Sequence, residues 1–221
     1  MTALRRFPAF PYVAPMALLL AFLPLRGRIG IVEYPLQVAV LAGFLWWAAR
    51  PVLNLKIRNG PASIALGLAV FAIWIGPDAL VPGYRTHWLF SNALLGAPAS
   101  TIAPEWRANL MVLGCRTIKA AVLVAVIEEL FWRGWLLRWL IQPDFTRVPL
   151  GAYQAPAFWI AAALFAVEHG SYWEVGLAAG ILYNWWIIRT KSLGDCVLAH
   201  GMTNLALSLY TIFFDQWQYW S

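Results

Sequence analysis

Residues 117–141 read TIKAAVLVAVIEELFWRGWLLRWLI. An apolar run that crosses a bilayer as a helix needs ~20 residues, and this one is long enough. Yet Glu128 and Glu129 stand near its middle, with Arg133 one turn further on. A single charge at the bilayer centre costs at least ~2.5–3.5 kcal/mol, so two adjacent carboxylates require compensation. Part of it is local. Glu129 and Arg133 are spaced i and i+4 with the acid first, the favourable order for a helical pair. Glu128 lies about 100° around the helix from Glu129, points elsewhere, and needs a partner of its own. Ionisable residues inside a span are functional candidates by default. A Glu–Arg pair can also serve packing alone, which makes Glu128 the stronger candidate of the two acids.

The rest of the chain shares this apolar character. Hydrophobic residues make up 62% and charged residues 12% of the 221, against ~45–50% and ~25% in soluble domains. Apolar segments recur at 9–25, 33–49, 62–77, 117–141, 155–170, 174–190 and 193–214. The expected fold is all-α, a polytopic transmembrane helix bundle of about seven spans. Residues 1–221 form a single membrane domain, with N-terminal spans and a long loop over 1–116 and a motif-bearing core over 117–214. The connection from Asp78 to Arg116 exceeds the usual ~12–15 residues. An interfacial helix is expected over 105–115, and an eighth span there stays open. The first apolar run follows Arg5 and Arg6 but has no small-residue cleavage site before Arg28, so it reads as a retained span.

Trp46, Trp47, Trp185 and Trp186 sit near the ends of apolar runs and read as aromatic belts. Lys and Arg give the orientation. With the N-terminus in the cytoplasm, Arg5, Arg6, Arg50, Lys56, Arg58, Arg138, Arg147, Arg189 and Lys191 fall inside, and Arg26, Arg28 and Arg85 outside. An integral protein of a bacterial inner membrane, N-terminus cytoplasmic, is the expectation. The net charge of +6 comes without a basic tract interleaved with aromatics, which gives no basis for nucleic-acid binding. Cys115 and Cys196 lack CxxC spacing and read as buried spectators, with a disulfide left open.

Two of the three histidines lie in spans. Phe165 and His169 share a face of span five, and His200 and Asn204, at i and i+4, share a face of span seven. Helical rise puts Glu128 ~20 Å and His169 ~21 Å from the inner ends of their spans, so a Glu128–His169 contact is expected. His200 is only ~10 Å deep by the same arithmetic. Glu168 adjoins His169 toward the outer end, facing a vestibule or capping the turn.

Taken together, Glu128-Glu129-x-x-x-Arg133, Phe165-x-x-x-His169 and His200-x-x-x-Asn204 resemble the three motifs of the CPBP family. That family comprises CAAX-processing prenyl endopeptidases and proteins linked to bacteriocin processing. The Trp-rich, small chain also resembles the exosortase-associated CAAX prenyl protease-related subgroup. The resemblance covers about 117–214. It implies an intramembrane protease that hydrolyses a peptide bond near the membrane surface, with a polar cavity open to the cytoplasmic side. Glu128 and His169 would activate water, His200 and Asn204 would form the oxyanion site, and Glu129 and Arg133 would be a supporting ion pair. Partners would be membrane lipids and a membrane-anchored or prenylated-type protein substrate, with a link to a protein-sorting system.

Two histidines and a carboxylate also form a zinc-type donor set, which here would be Glu128, His169 and His200. H-E-x-x-H, with both histidines on one helix face, is missing, so a glutamate-type mechanism without cofactor is favoured over a metallo-type one. The alternatives are a proton-coupled transporter, since buried Glu and His serve as relays, and a non-catalytic membrane assembly or immunity factor. No internal repeat of the kind common in transporters is visible.

Overall fold

The computed structural model describes residues 7–25, 27–96 and 98–220. Arg5, Arg6 and Arg26, used above for orientation, lie outside them. Seven principal helices follow one another among the described residues: α1 (Phe10–Ala21), α2 (Glu33–Ala49), α3 (Gly60–Leu80), α4 (Leu110–Ile141), α5 (Ala155–Glu168), α6 (Trp173–Thr190) and α7 (Leu193–Phe213). Four are long and apolar enough to cross a membrane: α2 with the turn before it, α3, α4 and α7. The fold is the all-helical transmembrane bundle that the apolar segments announce. Prolines at the first turns of α1, α3 and α5 (Pro11, Pro61, Pro156) sit where a missing N–H breaks no helical bond.

Helix α4 departs from expectation. Instead of a separate interfacial helix over 105–115, a short turn at Pro104–Trp106 precedes a helix that begins at Leu110 and runs unbroken to Ile141. The cause is a cap. The Asn109 side chain accepts from the backbone N–H groups of Met111 and Val112 at 3.0 and 3.2 Å, and no proline interrupts the run that follows. Two stretches of α4, Lys119–Val124 and Leu130–Leu136, are wound as π-helix on either side of Ala125–Glu129. Such widened turns are rare and frequent at functional sites.

The two ends of the bundle differ. At one end the 54–59 loop is tied to the start of α7. Asp195 accepts from the backbone of Arg58 and Asn59 at 2.8 and 3.0 Å, and Ser192 donates to Lys56 O at 2.8 Å. Arg138 reaches Val148 O at 2.8 Å across the α4–α5 connection. At the opposite end Arg85 fastens the long 81–109 connection. It pairs with Asp78 at 2.9 Å and Glu174 at 2.6 Å, donates to Ser171 O at 2.7 Å, and lies over the Tyr172 ring at 4.2 Å. The C-terminal turn joins that end, where Trp217 and Trp220 pack with Ile102 and Val112 as a small second core. Trp46, Trp47 and Trp185 are exposed as belt residues should be, but Trp186 is buried and donates to Ser63 Oγ at 3.1 Å. It lies on the face of α6 that meets α3.

Helix α7 is the central element, and glycines let it approach its neighbours closely. A Cβ on Gly67 of α3 would collide with Ala199 O, one on Gly201 would lie 2.6 Å from Ala121 O, and one on Gly194 would meet the Leu55 backbone at 2.6 Å. These are backbone contacts that cannot yield by rotating a side chain. Gly67→Ala is therefore expected to destabilise the bundle by about 1–3 kcal/mol, the usual cost of overpacking. Gly43→Ala, where a Cβ meets nothing within 4 Å, should be neutral or slightly stabilising. Thermal unfolding in detergent compares the two; equal midpoints would refute the close-contact account.

Candidate active site

Building outward from Glu129, its Oε1 receives two donors. Arg133 reaches it at 3.0 Å along the helix, and His200 Nδ1 reaches it at 2.9 Å from α7. The guanidinium is fully enclosed. It also donates to Asn184 Oδ1 at 3.1 Å and Gly180 O at 3.3 Å on α6, and lies over the Phe165 ring at 4.7 Å. Asn184 is oriented in turn by donating to Phe158 O at 2.9 Å on α5. The pair thus joins α4, α5, α6 and α7 at one depth. Asn184 and Gly180 carry no motif signal of their own. Asn184 could have been noticed as an amide within an apolar helix, but its partner could not.

Glu128 is turned away from Arg133. Its Oε2 has no hydrogen-bond partner and stands 3.8 Å from His200 Nε2. The imidazole is therefore held at one nitrogen by Glu129 and presents the other toward Glu128. Glu129 is paired with an always-charged guanidinium and so accepts the Nδ1 hydrogen. In the neutral ring Nε2 is then bare. Asn204 lies one turn further along α7 and donates to Ala120 O at 3.0 Å.

The depth expected for His200 is corrected here. It is not too shallow to meet the carboxylates, because α4 and α7 do not begin and end level. Gly201 lies against Ala121, and His200 against Glu129. In this antiparallel register the last turns of α4 run past the start of α7. The expected Glu128–His169 contact is replaced by the one with His200. His169 stands where α5 ends, and its Nδ1 donates to Phe165 O at 2.7 Å. Its ring packs on Trp74 and Phe165 at 5.1 and 4.6 Å. A carbonyl can only accept, so His169 too has a bare Nε2 when neutral.

One cavity of about 460 Å³ collects these groups. Glu128, Glu168, His169, His200 and Asn204 all line it, with Phe165, Tyr183 and Thr203 among its walls. Its size is that of a ligand pocket. Glu168 is exposed and lies on the rim. From Glu128 the cavity runs toward Arg116, Leu95, Pro98, Ser171 and Trp220, at the end of the bundle fastened by Arg85. There, burial pushes the hydroxyls of Tyr172 and Tyr219 above the ordinary tyrosine range. Tyr219 stays a donor, to Asp78 Oδ2 at 2.9 Å. Among the described residues no three His, Cys, Asp or Glu side chains gather as a metal-ligand set. Cys115 and Cys196 are both free.

Removing Arg133 would strand a sealed carboxylate. Arg133→Met is expected to cost about 3–5 kcal/mol, and Arg133→Met combined with Glu129→Leu to recover most of it. Thermal unfolding in detergent checks this; a single variant that melts with the parent would refute the compensation.

No curated protein and no solved structure matches the chain. Residues 108–206, the stretch that carries all three motifs and most of the cavity wall, match the family model described as type II CAAX prenyl endopeptidase Rce1-like, so over this segment the motif resemblance is a family match.

Proposed function

We propose that the protein is an intramembrane endopeptidase of glutamate type, in which Glu128 takes the proton of a water molecule held in the cavity. The observation that carries this reading is a carboxylate oxygen without a hydrogen-bond partner, facing a cavity that also holds two imidazoles. The family match over 108–206 supports peptide-bond hydrolysis in general, and the roles of individual residues are this proposal's own. The water oxygen attacks the peptide carbonyl carbon as its proton passes to Glu128. His169, with a bare Nε2, orients the same water as an acceptor. The developing oxyanion is stabilised by Asn204, through its remaining amide hydrogen, and by the His200 imidazole, whose orientation Glu129 fixes through Nδ1. When the tetrahedral intermediate collapses, Glu128 returns the proton to the leaving amine, so no net proton is consumed at the enzyme.

Glu129 and Arg133 hold this arrangement without touching substrate. The substrate class is a membrane-attached protein or peptide, and a prenylated-type chain and a link to a sorting system belong to the same proposal. A metal-independent reaction belongs to the same proposal, in keeping with a sequence that lacks H-E-x-x-H. A cavity that no described residue of the 50–59, 138–153 or 189–195 segments lines is closed at one end. That suits a reaction chamber better than a transport path.

The test is cleavage of candidate membrane-anchored peptides by purified protein. Glu128→Gln and His169→Ala should each lower the rate by about 100-fold or more, the usual weight of positioned acid–base groups, while the folded fraction is unchanged. Chelator should have no effect. Full cleavage by both variants would exclude the mechanism, and loss of cleavage with chelator, restored by zinc, would replace it with the metallo-type one.

A further inference from the structure

The cavity and most of the basic loop residues lie at opposite ends of the bundle. The loops that meet around the start of α7 and the ends of α4 and α6 carry Arg50, Lys56, Arg58, Arg147, Arg189 and Lys191, with Arg138 in the last turn of α4. These are joined physically by the Asp195, Ser192 and Arg138 bonds described above, and Lys56, Arg58, Arg138 and Lys191 surround one small hollow there. Among the described residues the first turns of α4 at the cavity end hold Arg116 and Lys119, and the connections there carry Arg28, Arg85 and Arg107. Two of these three are engaged within the protein: Arg85 by Asp78 and Glu174, and Arg107 over the Trp217 ring at 5.1 Å. Acids are gathered at that end, with Glu33, Asp78, Glu105, Glu168, Glu174 and Asp215.

Loops rich in Lys and Arg stay on the cytoplasmic side, and the rule is counted over short loops near span ends, as these are. The anionic cytoplasmic leaflet favours the same end. We therefore infer that the catalytic cavity opens to the extracytoplasmic face, and that its substrates are membrane-attached polypeptides whose scissile segment has already been exported. This rests on the peptidase reading for the word substrate, but not for the side of the membrane. It reverses the cytoplasmic opening that the motif resemblance implies. The geometry that carries it is the direction of the cavity. From Glu128 and His200 it proceeds past Ala120 and Lys119 to Ser171 and Trp220, and away from Lys56 and Lys191. The reaction would then follow a translocation step, since an exported segment must be supplied by secretion.

Impermeant thiol reagents test this on the full chain in sealed, right-side-out vesicles, in a Cys115→Ala, Cys196→Ala background. Trp88→Cys and Tyr153→Cys report the two ends; both parent side chains are exposed, at 69% and 63%, and neither is charged. Ala120→Cys reports the cavity wall. The expected result is reaction of the Trp88→Cys and Ala120→Cys variants with a small cationic thiosulfonate in sealed vesicles, and reaction of Tyr153→Cys only after permeabilisation. Reaction of Tyr153→Cys in sealed vesicles, or none at Trp88→Cys, overturns the orientation. Reaction at Trp88→Cys without Ala120→Cys overturns the opening of the cavity to that face. Labelling needs no catalysis, so repeating it in Glu128→Gln protein separates failure of the orientation from failure of the peptidase reading.

Discussion

The ion pair of Glu129 and Arg133 is sealed from solvent on both sides, and the bundle around it is arranged to meet its demands. A buried charge that loses its partner costs several kcal/mol. The guanidinium satisfies more than the carboxylate: it draws on an amide of α6, a carbonyl of α6 and an aromatic face of α5. His200 then completes the carboxylate from α7. Four helices are fixed in register by one set of polar contacts whose alternative, in hydrocarbon, is unpaired charge. The same contact decides which way the His200 ring faces, and so links the packing of the bundle to the chemistry of the cavity.

Helix existence was legible because a bilayer permits few alternatives. Apolar runs bounded by Pro, Gly and charge mark all seven helices in order, four of them long enough to cross a membrane. The three motifs were legible as side-chain spacings within a helix, where i and i+4 fix a shared face. Relations between helices were not. The depth assigned to His200 assumed straight helices with level ends, and α4 overshoots α7. The two π-wound stretches of α4, KAAVLV and LFWRGWL, share no local pattern that sets them apart from α-helix. Arg85 looked like one more loop charge, yet it binds the long connection to α3 and α6 through partners that are adjacent only after folding. Trp186, identical to Trp185 in composition terms, differs by facing α3 and Ser63.

The cavity end owes its form to residues far from the motifs. The 81–109 connection, the α5–α6 turn and the C-terminal turn meet there through Arg85, through the bond from Thr101 Oγ1 to Trp220 O at 2.7 Å, and through Trp173 Nε1 to Leu89 O at 3.1 Å. Loops that lie over a rigid scaffold are where recognition is usually carried. The family match, which covers 108–206, includes the three motifs but leaves most of this rim outside. Two chains with the same three motifs could thus differ in what they admit.

The glycine contacts of α7 divide the molecule into a fixed and a yielding part. With its backbone against α3, α4 and the 54–59 loop, α7 can neither slide nor roll without collision, so His200 and Asn204 behave as a stator. Across the cavity stands the end of α1, which offers Leu19, Leu20 and Leu23 as the wall. These are side chains with rotamers to spare, on a helix of only 12 residues. A ligand in the cavity would thus lie between adaptable leucine side chains on one wall and a backbone-locked helix on the other.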